Sequence, residues 1–358
     1  MTGWFEGFEA FEGLSRGAIL AWLEESDPAR LEALWAAADA VRRRAVGDEV
    51  HLRGLIEISN FCARRCAYCG IHAGNAKIPR YRMEDAEILE CARRAQALGF
   101  GTVVLQSGED RGFSTARVTE LVRRIQGETG LAITLSLGER GGDELAAWRA
   151  AGADRYLLRF ETSDHALYAA IHPPLAGGGA DRFALLEALR ALDYEVGSGV
   201  MVGVPGQTID SVADDVALFR ALDLDMIGIG PFIPHPDTAL GAADVAGPAI
   251  ARQMPSDAES ACKVLALTRL VRPDANIPAT TALAAMNKTE GRALGLRRGA
   301  NVVMPNVTPA KYRGSYEIYP DKAWAGETAD AFAENVAQVL AALGRVPGKG
   351  PGRHVRRP

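Results

Sequence analysis

The chain has 358 residues, with 45 acidic and 40 basic side chains, a formal net charge of −5 and 48% apolar residues. That balance describes a globular protein and excludes a disordered chain or one drawn to nucleic acid by a global basic field. No apolar run approaches the roughly 20 residues of a membrane span, and the acidic start MTGWFEGFEAFEGL lacks the basic and apolar regions of a secretion signal, so a cytoplasmic protein with no membrane partner is expected.

In chain order, residues 15 to 48 carry Leu, Ala, Trp and Val at helical spacing, which predicts an N-terminal helical extension over 1–48. The chain then alternates. Short β-type runs occur at 52–59 (LRGLIEIS), 102–106, 132–137, 155–160, 197–203 and 225–231, with weaker ones at 275–281 (ANIPATT) and 300–305. Amphipathic segments such as AEILECARRAQALG and SVADDVALFRALD lie between them. Strand candidates that are each followed by helix or turn predict an α/β fold, a (β/α)₈ TIM-type barrel over 49–320, ahead of an open sheet. The steps ending at Asp154 and Asp225, and Gly299-Ala300-Asn301, read as helix-to-strand turns at its base. Residues 321–345 are expected to form a C-terminal helix packed on the barrel, and 346–358 a flexible basic tail.

In such a barrel the active site lies at the C-terminal ends of the strands. Polar residues fall there repeatedly: a cysteine loop after the first run, then Gln106-Ser107-Gly108-Glu109-Asp110, Thr134, Ser136 and Glu139, Arg159 and Glu161, Met201, and Thr280-Thr281. The loop SNFCARRCAYCGIH (59–72) holds three of the five cysteines, Cys62, Cys66 and Cys69. In a reducing compartment such a cluster reads as metal binding or catalysis rather than as a disulfide framework. An iron–sulfur cluster fits, with one iron left open for lack of a fourth cysteine nearby. So does zinc, because His72 could complete a Cys₃His set. Cys91 and Cys262 stand in helical stretches and read as small buried hydrophobes. No paired H-x₃-H, G-x₄-GK[ST] or G-x-S-x-G motif is present, which argues against zinc hydrolase, P-loop and serine hydrolase readings.

Cys62-x₃-Cys66-x₂-Cys69, with Tyr68 before the last cysteine, resembles the signature of the radical S-adenosylmethionine (SAM) superfamily. VLQSGED (104–110), ITLSLGE (133–139), GIGPFIPHPDT (228–238), PDANIPATTAL (273–283) and GANVVMPN (299–306) resemble, more narrowly, the HydE maturases of FeFe hydrogenases. The resemblance implies a single 4Fe–4S cluster held by the three cysteines, with its open iron binding SAM. Cleavage to methionine and a 5′-deoxyadenosyl radical would then serve assembly of the diiron subcluster. It implies cofactor contacts at Gln106, Ser107, Gly108, Thr134, Ser136, Glu161, Arg182 and Met201. Substrate contacts fall at Arg159, Met226, Thr280, Thr281, Tyr316 and Tyr319. The implied partners are a small, anionic organometallic substrate, reduced ferredoxin or flavodoxin as electron donor, and the other maturases. Relatives with a second cysteine trio near the C-terminus differ from this chain, so no second cluster is expected. Close relatives also read Arg-His-Glu-Thr where this chain has Arg159-Phe160-Glu161-Thr162. A sister enzyme of the methylornithine synthase or biotin synthase type is the near alternative. A non-catalytic zinc- or cluster-binding scaffold is the distant one.

Overall fold

The computed structural model describes residues 14–175, 181–242, 250–288, 290–320 and 329–356. Six strands follow one another around the sheet in chain order, all parallel: β1 (Glu49–Ser59), β2 (Thr102–Ser107), β3 (Ala132–Ser136), β4 (Arg155–Leu157), β5 (Glu195–Val202) and β6 (Met226–Pro231). β7 (Val302–Val303) pairs with the free side of β1. Between β6 and β7, residues 276–279 close the ring through single bridges, Met226 to Asn276 and Pro278 to Val302. The Ile227 N–H donates to the Asn276 carbonyl at 3.0 Å, and the Ala279 N–H to that of Val302 at 2.9 Å. Pro278 has no N–H to give a ladder, which explains why this stave never becomes a regular strand. The predicted runs are therefore the staves of a TIM-type barrel.

Helices cover the outside. Thr115–Thr129 shows how the sequence bounds them: the Ser114 hydroxyl accepts from the Arg117 N–H, and Gly130, at φ 68°, ends the helix in the left-handed region. Its buried Val118, Leu121, Val122 and Ile125 make one apolar stripe. The N-terminal helices Arg16–Glu24 and Pro28–Val46 pack outside Ile209–Ala221 and Ala258–Val271. From Ser260 on, Ala258–Val271 is in consequence buried all round, even at Lys263 and Arg269. Both cations are satisfied there, Lys263 Nζ by the Glu25 carbonyl at 2.6 Å and Arg269 Nη2 by Asn301 Oδ1 at 2.9 Å. The helix Ala329–Ala342 buries Phe332, Val336 and Leu340, while 321–328 of the expected helical segment lie outside the described residues. No described helix is long and apolar enough to cross a membrane.

The end of the chain departs from expectation. β8 (Val346–Pro347) pairs with the start of β1, and the residues after it run beneath the barrel. The Pro351 carbonyl accepts from Thr102 Oγ1 at 2.9 Å and Arg155 Nη2 at 3.0 Å; that of Gly352 accepts from Arg53 Nη2 at 3.1 Å and Asn276 Nδ2 at 3.2 Å. Arg353 meets Asp154 at 3.1 Å, Arg356 meets Asp223 at 3.0 Å, and buried His354 stands 3.7 Å from both Asp225 and Asp274. Composition called this segment a solvated tail. In place, its basic side chains neutralise the acidic helix-to-strand turns, and its carbonyls satisfy buried donors at the barrel's base. Deleting residues 346–358 is expected to lower stability by about 3 kcal/mol or more, because each buried group left unpaired costs about 1–3 kcal/mol. An unmoved urea midpoint would show the segment to be a bystander.

Candidate active site

The cysteine loop leaves β1 at Asn60 and returns at Tyr81 with no regular structure, so the surrounding barrel must satisfy its backbone. Arg80 does much of this. Its guanidinium donates to the carbonyls of Asn60, Ile71, His72 and Asn75 at 2.6–2.9 Å. The Ala63 N–H reaches the Glu109 carbonyl at 3.0 Å, that of Ala67 reaches Ile171 at 2.8 Å and that of Gly70 reaches Ile318 at 3.0 Å. At Gly108 the loop passes so close that a Cβ would lie 2.7 Å from that of Cys62. Cys91 and Cys262 are buried in helices, as expected.

The loop does not suit one tetrahedral ion. Zn–S bonds of about 2.3 Å would bring the sulfurs within about 4 Å of one another, yet among the described residues the trio forms no group within 4.8 Å. His72 is also engaged: its Nδ1 lies 3.1 Å from the Gly74 N–H, which it accepts, and its Nε2 lies 3.0 Å from the Asp237 carbonyl. Burial pushes all three thiols up, Cys66 to about 12, and each thiolate would repel the next. Three thiols that resist ionising need a cationic centre wider than a single ion to hold them as thiolates, and a cubane cluster meets both requirements.

One cavity of about 340 Å³ runs from Cys62 and Cys69 at the loop down to Arg53 and Asn276 near the base. Gln106, Ser107, Gly108, Thr134, Ser136, Glu161 and Met201 line it, and so do Arg159, Met226, Thr280, Thr281, Tyr316 and Tyr319. Inside it Thr134 Oγ1, Arg159 Nε and Nη2, and Glu161 Oε2 are buried without hydrogen-bond partners. Arg159 Nη2 and Glu161 Oε2 do stand 3.1 Å apart, an ion pair by distance. Their orientation makes no hydrogen bond, so both groups keep directed capacity for a ligand. Glu161 holds φ at 63°, a strained conformation for a glutamate, secured by its N–H on the Gly199 carbonyl and its own carbonyl on the Met201 N–H. Gln106 Nε2 donates to the Tyr316 hydroxyl at 3.2 Å across the cavity. Thr280 also caps a short helix, its hydroxyl accepting from the Leu283 N–H.

One expected site residue, Arg182, and Phe160 beside the site face elsewhere. Arg182 lines a neighbouring cavity of about 360 Å³ and bonds the Arg159 carbonyl, Glu139 Oε1 at 3.1 Å and His172 Nε2 at 2.9 Å. Phe160 is buried between Phe183 and Phe219, ring centres 5.3 and 5.8 Å away, on the outer side of the stave. Arg53 and Glu57 were missed as site residues. Both share the inward face of β1 with Leu55, and charged residues four positions apart, on one face of the run LRGLIEIS, were the available signal. His172 was missed as well. Its Nδ1 lies 3.1 Å from Cys66 Sγ, a contact between positions 106 residues apart that no local pattern announces.

Behind the loop runs a buried chain of charges. Arg64 Nε donates to Glu109 Oε2 at 2.7 Å and its Nη2 to Glu139, while Arg182 holds the other Glu139 oxygen. Glu109, Glu139 and His172 could by spacing hold an ion, but the arginines already occupy these carboxylates. Burial by itself would raise the Glu139 carboxyl; the guanidiniums of Arg182 and Arg64 outweigh it and hold the group at about 2, against an ordinary 4.5. A depressed carboxyl stabilises the fold above its unfolded value, and the contribution is lost as pH falls from 4.5 through 2. E139Q should therefore cost on the order of 3 kcal/mol at pH 7 and much less near pH 3. Denaturant titrations at the two pH values check this; an equal loss at both would remove the ionic explanation. F160H should cost about 2 kcal/mol through its buried polar ring.

Residues 56–219 match the family model of the radical SAM superfamily. The chain is 45% identical to the [FeFe] hydrogenase maturase subunit HydE of Thermotoga maritima, over 91% of this chain and 89% of that one. It is 30% identical to the 3-methylornithine synthase of Methanosarcina acetivorans, over 83% and 80% respectively. A crystal structure of methylornithine synthase (PylB) superimposes with a TM-score of 0.80 at 25% identity, covering 96% of each chain. One of HydG, a maturase of the [FeFe]-hydrogenase, superimposes at 0.77 and 14% identity, over 96% of this chain and 74% of that one, and so shows the shared fold. Enzymes of this superfamily work with a 4Fe–4S cluster and SAM. The chain belongs to the HydE family of radical SAM enzymes.

Proposed function

We propose that this enzyme acts in FeFe hydrogenase maturation, with its 4Fe–4S cluster held by Cys62, Cys66 and Cys69 and a small organometallic anion as its substrate. The observation that carries the reading is the single cavity that joins the cysteine loop to buried polar atoms of Thr134, Arg159 and Glu161 that make no hydrogen bond. When bound and reduced, the cluster supplies the electron that splits SAM into methionine and a 5′-deoxyadenosyl radical.

The chain's own residues bind, orient and shield. Glu161 and the hydroxyls of Thr134 and Ser136 offer acceptors for the amine and ribose of SAM, beside Gln106, Ser107, Gly108 and Met201. Lower in the barrel, Arg159 supplies positive charge for an anion, with Met226, Thr280 and Thr281 around it. Burial pushes the Tyr316 and Tyr319 hydroxyls well above their ordinary value, so both remain protonated donors at neutral pH. Closed walls keep water from a reactive carbon radical. Reduced ferredoxin or flavodoxin would supply electrons, and the other maturases would supply the substrate and accept the product. Arg182 would act on the site through His172 and Glu139 rather than by touching SAM.

Anaerobically reconstituted, reduced protein should release 5′-deoxyadenosine from SAM, and C66A should fall to background, as read by chromatography. No release from protein holding four irons per chain would overturn the enzyme reading. F160H should release it within about twofold of wild type, since that ring lies outside the cavity; a loss beyond the roughly tenfold that 1.4 kcal/mol represents would bring position 160 into the site.

A further inference from the structure

We propose that His172 is a positioning residue for the cluster, donating its Nδ1–H to the Cys66 sulfur and so making the cluster easier to reduce. The inference rests on the reading that Cys66 is a cluster ligand.

Geometry decides which ring nitrogen carries the proton. Arg182 Nη2 lies 2.9 Å from His172 Nε2, and a guanidinium can only donate. Nε2 must therefore present its lone pair, and in a neutral imidazole the proton then sits on Nδ1. Nδ1 is the atom 3.1 Å from Cys66 Sγ. Turning the ring over would set carbon against both partners. The Glu139 oxygen lies 3.5 Å from Nε2, beyond normal hydrogen-bond range, and Arg182 Nε reaches that same oxygen at 3.1 Å. The guanidinium thus sits between two acceptors and holds both.

The ring is also held in place by the backbone. The His172 N–H donates to the Tyr168 carbonyl at 2.8 Å, ending the helix His165–Ile171. One residue earlier, the Ile171 carbonyl accepts from the Ala67 N–H at 2.8 Å, next to Cys66. Backbone and side chain therefore join the same two segments, so the distance from imidazole to sulfur is set by both. A donor aimed at a cluster thiolate stabilises the extra negative charge of the reduced state and raises the potential.

The test is a redox titration of the reduced-cluster EPR signal in wild type, H172L and H172N, each shown to hold four irons per chain. H172L should be about tenfold harder to reduce, a shift of about 59 mV for one electron. H172N, whose amide nitrogen can stand where Nδ1 stood, should recover most of that. An H172L protein that titrates with wild type overturns the proposal, and so does an H172N protein that titrates with H172L. A second measurement needs no variant. With ¹⁵N-histidine in otherwise unlabelled wild type, pulsed EPR of the reduced cluster should show a weak ¹⁵N coupling, and a loaded cluster without one overturns the donor role. A wild-type protein with no 4Fe–4S signal would instead remove the reading on which the inference rests; iron and EPR content tell the two failures apart.

Discussion

A loop without secondary structure has to hold three thiols at fixed positions inside a protein, and every buried peptide group in it needs a partner. The rest of the site depends on how that is met. Arg80 gathers four loop carbonyls, and the Glu109, Ile171 and Ile318 carbonyls take N–H groups from the loop. These partners come from the end of β2, from the helix after β4 and from the segment after β7. The loop is thereby registered to the barrel as a whole, and the sulfurs inherit the barrel's rigidity.

The same economy governs charge. Arg64 and Arg182 sit deep in the protein, where unpaired guanidiniums would be costly, and each is matched to Glu109 or Glu139. This set links the Cys loop to the ends of β2 and β3 and, through His172, returns to a cysteine. At the opposite end the acidic turns of the barrel are matched by basic side chains of the C-terminal segment. In the cavity between the two ends, Arg53, Arg159, Glu161 and Thr134 keep buried polar atoms without hydrogen-bond partners. Polar atoms left open in the lumen are what a preorganised binding site requires.

Much of this was legible beforehand, for identifiable reasons. Alternating apolar runs mark the staves because parallel strands are buried on both faces. Chemistry-bearing residues could be placed because strand ends face the site in any such barrel. Residues whose role depends on a distant partner were harder to read. Arg182 looked like a cofactor contact and turns instead to His172, Glu139 and the Arg159 carbonyl. Phe160, where relatives have a histidine between two site residues, is packed among aromatics behind its stave. The tail looked solvated because composition counts its charges and cannot count the aspartates waiting beneath the barrel.

By itself the amino-acid sequence determined what short-range rules control: where strands and helices run, which loop carries the thiols, and the family to which the motifs belong. These follow from periodicity, capping and spacing, which act over a few residues. Tertiary structure alone decided which polar atoms stay unpartnered in the cavity, which nitrogen of His172 faces Cys66, and where the C-terminal segment rests. Each is settled by contacts between residues about a hundred or more positions apart, and such contacts exist only once the barrel has closed.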